Sequence, residues 1–284
     1  METVTTRARL REVIGGWRQA GRRVGFVPTM GSLHEGHLTL IDRARQRSDG
    51  VVASVFVNPM QFGPNEDLAR YPRDLPRDRQ LLDERGADLL YAPSVEEIYP
   101  ESPIVRIDPG PLADRLEGAV RPGHFAGVLT VVAKLLHQVG PDVVCFGQKD
   151  IQQATLIGRM VSDLDWSVEV VVVPTVRDAD GLALSSRNVF LSPTERQDAV
   201  VLSRMLRALE GGWGSGIVDG TQLLDMGQRA MASVPGVRPD YLVIVDPVRF
   251  EPIETVVAGA IAAVAARVGT TRLIDNAIFG QAVG

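Results

Sequence analysis

The chain has little that would tie it together covalently or carry it across a membrane. A single cysteine, Cys145, stands among 284 residues. That excludes an internal disulfide and a cysteine-built metal cluster, and it fits a reducing cytosol. Residues Met1 to Arg11 carry both signs of charge and lack the apolar stretch of a secretory signal, and no later run reaches the length of a membrane span. The expected address is therefore cytoplasmic, with no membrane engaged. A large excess of one charge is also missing: the formal net charge of −5 speaks against a nucleic-acid partner but leaves room for a local basic pocket. Repeats and low-complexity tracts are absent. Hydrophobic residues make up 45% and charged residues 23% of the chain, a folded rather than a disordered composition. The length fits one large domain and a smaller one.

What is there is ordered by valine. Apolar runs at Val24 to Val27, Val51 to Val57, Val143 to Phe146 and Val168 to Val173 each meet a Gly, Pro or polar turn and read as buried strands. Helix-like stretches lie between them, at His37 to Arg47, Arg77 to Arg85, Val128 to Gln138 and Ile151 to Ser162. The alternation predicts an α/β fold with a parallel, doubly wound, Rossmann-like sheet, whose ligands bind beyond the carboxyl ends of the strands. Pro28 to His37, Asn58 to Gly63 and Gly147 to Gln153 fall there. After about Val176 the pattern changes. Ser192-Pro193-Thr194-Glu195 predicts a capped helix running to about Leu209, Gly211 to Gly220 reads as a linker, and Thr221 to Ser233 as an amphipathic helix. Tyr241 to Val245, Val257 to Ala265 and Thr271 to Ile274 are strand candidates, the last two joined by a turn at Val268-Gly269. The expected organisation is a first domain over residues 1–175 and a smaller C-terminal α+β domain with an antiparallel sheet over 176–284.

Four segments carry chemistry. In Pro28-Thr29-Met30-Gly31-Ser32-Leu33-His34-Glu35-Gly36-His37, two histidines three apart share one face of the first turn of a helix. The dipole and the backbone N–H groups there favour phosphate, and Gly36 leaves a gap through which a flat base can approach. Two other readings stand beside this: helix-start residues with no task, and a zinc pair, for which only His124 and His137 remain as further nitrogen ligands. Asn58-Pro59-Met60-Gln61 places two carboxamides three apart, suited to telling the hydroxyls of an uncharged group apart, or forms an ordinary turn. In Gly147-Gln148-Lys149-Asp150, Lys149 can reach phosphates and Asp150 ribose hydroxyls, and Gln152 and Gln153 follow on the helix. Leu184-Ser185-Ser186-Arg187 offers two hydroxyls and a guanidinium as a triphosphate clamp, or a polar hinge. Arg70 to Arg79 reads most simply as a solvated loop and helix start.

Taken together the segments closely resemble the bacterial pantothenate synthetases (pantoate–β-alanine ligases), members of the H-x-G-H nucleotidyltransferase superfamily. The resemblance covers almost the whole chain: P-T-M-G-S-L-H-E-G-H at Pro28, F-V-N-P-M-Q-F-G at Phe56, G-H-F-A-G-V at Gly123, F-G-Q-K-D at Phe146, L-S-S-R-N at Leu184 and R-L-I-D-N at Arg272. It implies ATP along Met30 to His37 (Met30, Gly31, Ser32, Leu33, His34, Glu35, Gly36 and His37), completed by Gly147, Gln148, Lys149, Asp150, Val176, Leu184, Ser185, Ser186 and Arg187. His37 would be the proton donor, with His34, Lys149 and Arg187 stabilising charge. Gln61 and Gln153 would hold pantoate, with Asn58 beside them. Magnesium would arrive on the ATP phosphates, without a dedicated protein cage. The resemblance also implies a homodimer and a C-terminal domain acting as a lid. It assigns no direct role to Arg121 or His124. Arg77 stands where the family often has an acid, which leaves Asp78 without a metal partner. A nucleotidylyltransferase acting on another acceptor, or a regulatory module without catalysis, remains as an alternative.

Overall fold

The protein, seen here as a computed structural model that describes residues 1–63, 68–281 and 283, divides into two compact units. One comprises Met1–Gly147 and Gln153–Val173, the other Gln148–Gln152 and Pro174–Gly284. Gln148–Gln152 groups with the second unit, which a single boundary at 175/176 does not express.

Among the described residues the first unit holds strands β1 (Glu2–Val4), β2 (Val24–Thr29), β3 (Gly50–Val55), β4 (Leu89–Tyr91), β5 (Val143–Gly147) and β6 (Glu169–Val173), paired in parallel in the order β1-β4-β3-β2-β5-β6. Helices α1 (Arg7–Gln19), α2 (Glu35–Arg45), α3 (Leu75–Arg85), α4 (Val95–Ile98), α5 (Glu117–Val120), α6 (His124–Val139) and α7 (Ile151–Asp163) connect or follow them. Successive strand residues point to opposite faces. Phe26, Val144 and Phe146 join Leu10 and Ile14 of α1, Val128 and Val132 of α6 and Ile157 of α7 in one core. Val27, Val143 and Cys145 join Ile41 and Ala44 of α2 and Leu82 of α3 in the other. Burial on both faces is why the strands read as unbroken valine runs. It also pushes the Cys145 thiol up to about 11, so the lone cysteine is an inert core residue. The doubly wound sheet is as expected, and its order reverses between β2 and β5, whose carboxyl ends lead into Met30 and Gln148.

The second unit is built on antiparallel strands β7 (Val237–Val245), β8 (Ile261–Val268) and β9 (Thr271–Ile278), with α8 (Pro193–Ala199), α9 (Val201–Gly214) and α10 (Gly220–Ala232). Leu202, Leu206 and Leu209 of α9, Leu223 and Met231 of α10 and Ala262, Val264, Ala266 and Val268 of β8 form its core. The Ser192 capping box is present, with the Ser192 hydroxyl accepting from the Glu195 N–H and the Glu195 carboxylate from the Ser192 N–H. The helix it starts is broken at Val200 into α8 and α9. Two expectations are corrected. Gly211 to Gly214 are helical, part of α9 rather than a linker. A Cβ on Gly212 would lie 3.0 Å from side-chain atoms of Leu223 and Met226, so this glycine admits close helix–helix contact. The strand expected from Val257 begins at Ile261. Among the described residues no helix is long and apolar enough to cross a membrane.

One close approach positions the site. After β3, Asn58 caps a 3-10 turn, Pro59–Gln61, by accepting from the Met60 N–H. Helix α6 lies against it at Gly127, where a Cβ would stand 2.2 Å from the Met60 carbonyl oxygen. Backbone cannot yield that distance cheaply. Gly127→Ala is expected to lower the unfolding free energy by about 3 kcal/mol through overpacking. Urea unfolding of the variant beside the parent protein checks this, and an unchanged midpoint would refute the contact.

Candidate active site

In the first unit the stretch after β2 is held by bonds from three directions. Thr29 donates its hydroxyl to the Ser54 carbonyl at 2.8 Å and accepts from the Gly31 N–H at 3.1 Å. Gly31 (φ 81°) and Ser32 (φ 53°) both take left-handed conformations, which cost free energy for the serine. The turn is offset by Asp78, 1% exposed on α3, whose carboxylate accepts from the Ser32 N–H at 2.9 Å and the Leu33 N–H at 2.8 Å. A Cβ on residue 31 would come within 2.8 Å of that carboxylate. Arg70 to Arg79, expected to be solvated, thus contains a buried acid that builds the neighbouring loop. The amides of Gly31, Ser32 and Leu33 are thus engaged within the protein, and the helix proper begins after them, at Glu35.

The turn delivers His34 as the N-cap of α2 and His37 one turn on, their ring centroids 4.1 Å apart. The His34 N–H donates to His37 Nδ1 at 3.4 Å. With Nδ1 accepting, the neutral ring carries its proton on Nε2, the arrangement of a donor. Glu35 is exposed and pairs with Arg85 at 2.6 Å, so its carboxylate ties α2 to α3.

The amide turn is equally constrained. Asn58 is 1% exposed. Its nitrogen donates to Gln61 Oε1 and the Gly127 carbonyl, each at 3.1 Å, and its oxygen accepts from the Met60 N–H and from the Tyr99 hydroxyl at 2.9 Å. Burial pushes that phenol up to about 12, so it remains a donor. All four capacities of the carboxamide are filled. Asn58, expected to touch substrate, instead orients Gln61. The Gln61 nitrogen meets the Met30 sulfur at 3.0 Å, a weak acceptor that leaves donor capacity for a ligand oxygen. The Gln61 carbonyl accepts from His124 Nδ1 at 2.8 Å and from Arg121 at 3.3 Å, and the other His124 nitrogen accepts from Arg121 at 3.0 Å. His124 and Arg121 therefore fix the backbone beneath Gln61. Gln153 lies half-buried on α7 and Gly147 ends β5.

In the second unit Gln148–Asp150 forms a 3-10 turn, where Lys149 stands 3.7 Å from Asp150. Val176 accepts from the Leu184 N–H at 3.0 Å, and Arg177 bridges Ala183, so Val176 and Leu184 share one hairpin. Ser185 caps the next 3-10 turn by accepting from the Arg187 N–H at 3.2 Å. One hydroxyl of the expected clamp thus shapes the loop that presents Arg187. In the first unit the structure brings Met30, Asn58 and Gln61 together, and His34 with His37; in the second it brings Val176 together with Leu184, which leads on to Arg187. Among the described residues no three His, Cys, Asp or Glu side chains gather to hold a metal ion.

A family model described as pantoate-beta-alanine ligase matches residues 2–278. A pantothenate synthetase of Acidobacterium capsulatum is 55% identical over 260 residues, covering 92% of this chain and 87% of that protein. The crystal structure of pantothenate synthetase from Thermus thermophilus superposes with a TM-score of 0.93 at 54% identity, covering 98% of this chain and 99% of that one. A pantoate-beta-alanine ligase from Francisella tularensis, solved in complex with beta-gamma ATP and beta-alanine, gives a TM-score of 0.82 at 34% identity, covering 100% of both chains.

The Asp78 bonds are open to a direct test. Asp78→Asn replaces one accepting oxygen by a donor facing a backbone N–H, and is expected to lower stability by about 2–3 kcal/mol, the scale of buried bonds to an ionised group. Chemical denaturation measures it. Stability within experimental error of the parent would mean that the carboxylate does not hold the turn.

Proposed function

Because the chain belongs to the pantoate-beta-alanine ligase family, we propose that the residues described above carry out the ATP-dependent joining of pantoate to β-alanine. The reaction runs through a pantoyl-adenylate and releases pyrophosphate, AMP and pantothenate. The Francisella tularensis relative solved with an ATP compound and beta-alanine supports ATP and β-alanine as substrates here. The observation that carries the assignment of roles is the bond from the His34 N–H to His37 Nδ1, which assigns the ring proton of a neutral His37 to Nε2, the arrangement of a donor to a phosphate oxygen.

In the first step a pantoate carboxylate oxygen attacks the α-phosphorus of ATP and pyrophosphate leaves. In the second the β-alanine amine attacks the carbonyl of the mixed anhydride, loses a proton, and AMP leaves with the bonding pair. Neither step needs a nucleophile from the protein, so the chain's part is alignment and charge stabilisation. His34, His37, Lys149 and Arg187 are assigned to the phosphates, and Asp150, Val176, Leu184 and the two serines to the rest of the nucleotide. Gly147 and the Met30 to Gly36 backbone complete that assignment. Gln61, held by Asn58 and His124, orients pantoate with Gln153. A fixed carboxamide recognises a hydroxyl and a carboxylate at once. Magnesium, the usual companion of ATP phosphates, would enter with them and keep most of its waters. The same reading makes the protein a cytoplasmic homodimer.

Purified protein given ATP, magnesium and pantoate is expected to release AMP and pantothenate in equal amounts only when β-alanine is added. ATP binding without pantothenate would overturn the reaction. His37→Ala is expected to slow adenylate formation roughly a hundredfold, the scale of losing one preorganised donor, with an unchanged melting temperature. Near-parental turnover would remove His37 from its role.

A further inference from the structure

We propose that Asn276 is a positioning residue for ATP, holding from β9 the backbone turn that presents Lys149, with Asp275 beside it securing the hairpin that carries Val176 and Arg187. The proposal rests on the assignment of Lys149 to the phosphates. Strand β9 contains two successive buried polar residues, Asp275 and Asn276, 4% and 2% exposed. A strand with one face in the core buries alternate residues, so a buried polar pair points to bonds that repay its desolvation.

Those bonds converge on one place. The Asn276 nitrogen donates to the carbonyls of Gln148 at 2.9 Å and Lys149 at 3.0 Å, and its oxygen accepts from the Gln148 side chain at 3.1 Å. The two carbonyls belong to the peptide planes immediately before and after the Lys149 Cα. Fixing both planes fixes the direction in which Cβ leaves, and with it the cone that the ammonium sweeps. Only a carboxamide of this size both donates twice and accepts once at such a site.

Asp275 performs the matching task for the hairpin. Its carboxylate receives both terminal nitrogens of Arg177, at 2.6 and 3.1 Å, and the Asn276 N–H at 2.8 Å. The Arg177 and Asp275 side chains are 4% and 3% exposed. Arg177 follows Val176 and pairs across the hairpin with Ala183, one residue before Leu184. Adjacent residues of one strand thus secure the lysine turn and the hairpin leading to Arg187. Breaking the buried ion pair would jeopardise folding, so Asn276 is the residue to test.

Full-length Asn276→Ala, Lys149→Ala and the double variant are compared by steady-state kinetics and thermal melting. Asn276→Ala is expected to raise the KM for ATP about tenfold, the effect of losing roughly one net buried hydrogen bond's worth of preorganisation, while the KM for pantoate stays within about twofold. The double variant is expected to use ATP no worse than Lys149→Ala, because Asn276 acts through that side chain. Should Asn276→Ala not fold, Asn276→Ser, which keeps one donor, is expected to show a smaller rise of the same kind. Parental ATP use by a folded Asn276 variant, alongside an impaired Lys149→Ala, would overturn the proposal alone. Equal rises in both KM values, or losses that multiply in the double variant, would do the same. Parental ATP use by Lys149→Ala would overturn the phosphate assignment and the proposal with it.

Discussion

The buried carboxylate of Asp78 is the constraint on which the first unit's chemistry depends. Two successive left-handed residues, Gly31 and Ser32, turn the chain from the end of β2 into α2, and a turn of that kind concentrates N–H groups that need an anion or a carbonyl. Asp78 supplies the anion from α3, so the turn is satisfied within the protein itself. His34 and His37 then emerge from a helix start whose direction is already decided. The second unit works with the opposite polarity: there the Asn276 nitrogen gathers two carbonyls beneath Lys149. In each case a buried side chain from a distant helix or strand holds the turn from which residues assigned to the reactants emerge. That division suits adenylation, where positional precision contributes more than any reactive group.

The fold was legible where an element buries both faces over five or more residues. Strands β2, β3 and β5 announced themselves as apolar runs of this kind, β6 by its valines although it is partly exposed at the sheet edge, and the helices between them by their apolar spacing. Strands β1 and β4 have three residues each, too few to set a period against their surroundings. Helix α1 is interrupted in composition by Gly15-Gly16, and its helicity comes from packing Leu10 and Ile14 into the core rather than from propensity. The glycines at 211 to 214 misled for a related reason. Glycine marks either freedom or closeness, and only the partner surface of Leu223 and Met226 decides between them.

The candidate site was legible as a set of residues and illegible as a mechanism of support. Motifs display the groups assigned to small molecules, because within each motif those lie close together in the chain. The bonds that orient them span 45 residues from Asp78 to Leu33, 63 from His124 to Gln61 and 127 from Asn276 to Lys149, and no local pattern encodes such distances. Asn58 shows the consequence. Its place in a polar turn suggested a ligand contact, yet four partners inside the protein already fill it. The G-H-F-A-G-V and R-L-I-D-N stretches, which suggested no direct role, carry His124 and Gly127, and Asp275 and Asn276, respectively.

The division of the chain bears on how such a protein can be inherited or rebuilt. Gln148–Gln152 groups with the second unit, and Gln153–Val173 returns to the first before Pro174 departs for good. Neither unit is therefore one continuous stretch of gene. A crossover near codon 175 between two diverged relatives would hand the turn of one parent to the β9 strand of the other, so that the side chain at position 276 would have to hold a turn from a different parent. A single cut in the gene therefore does not separate the two units: it carries part of one along with the other.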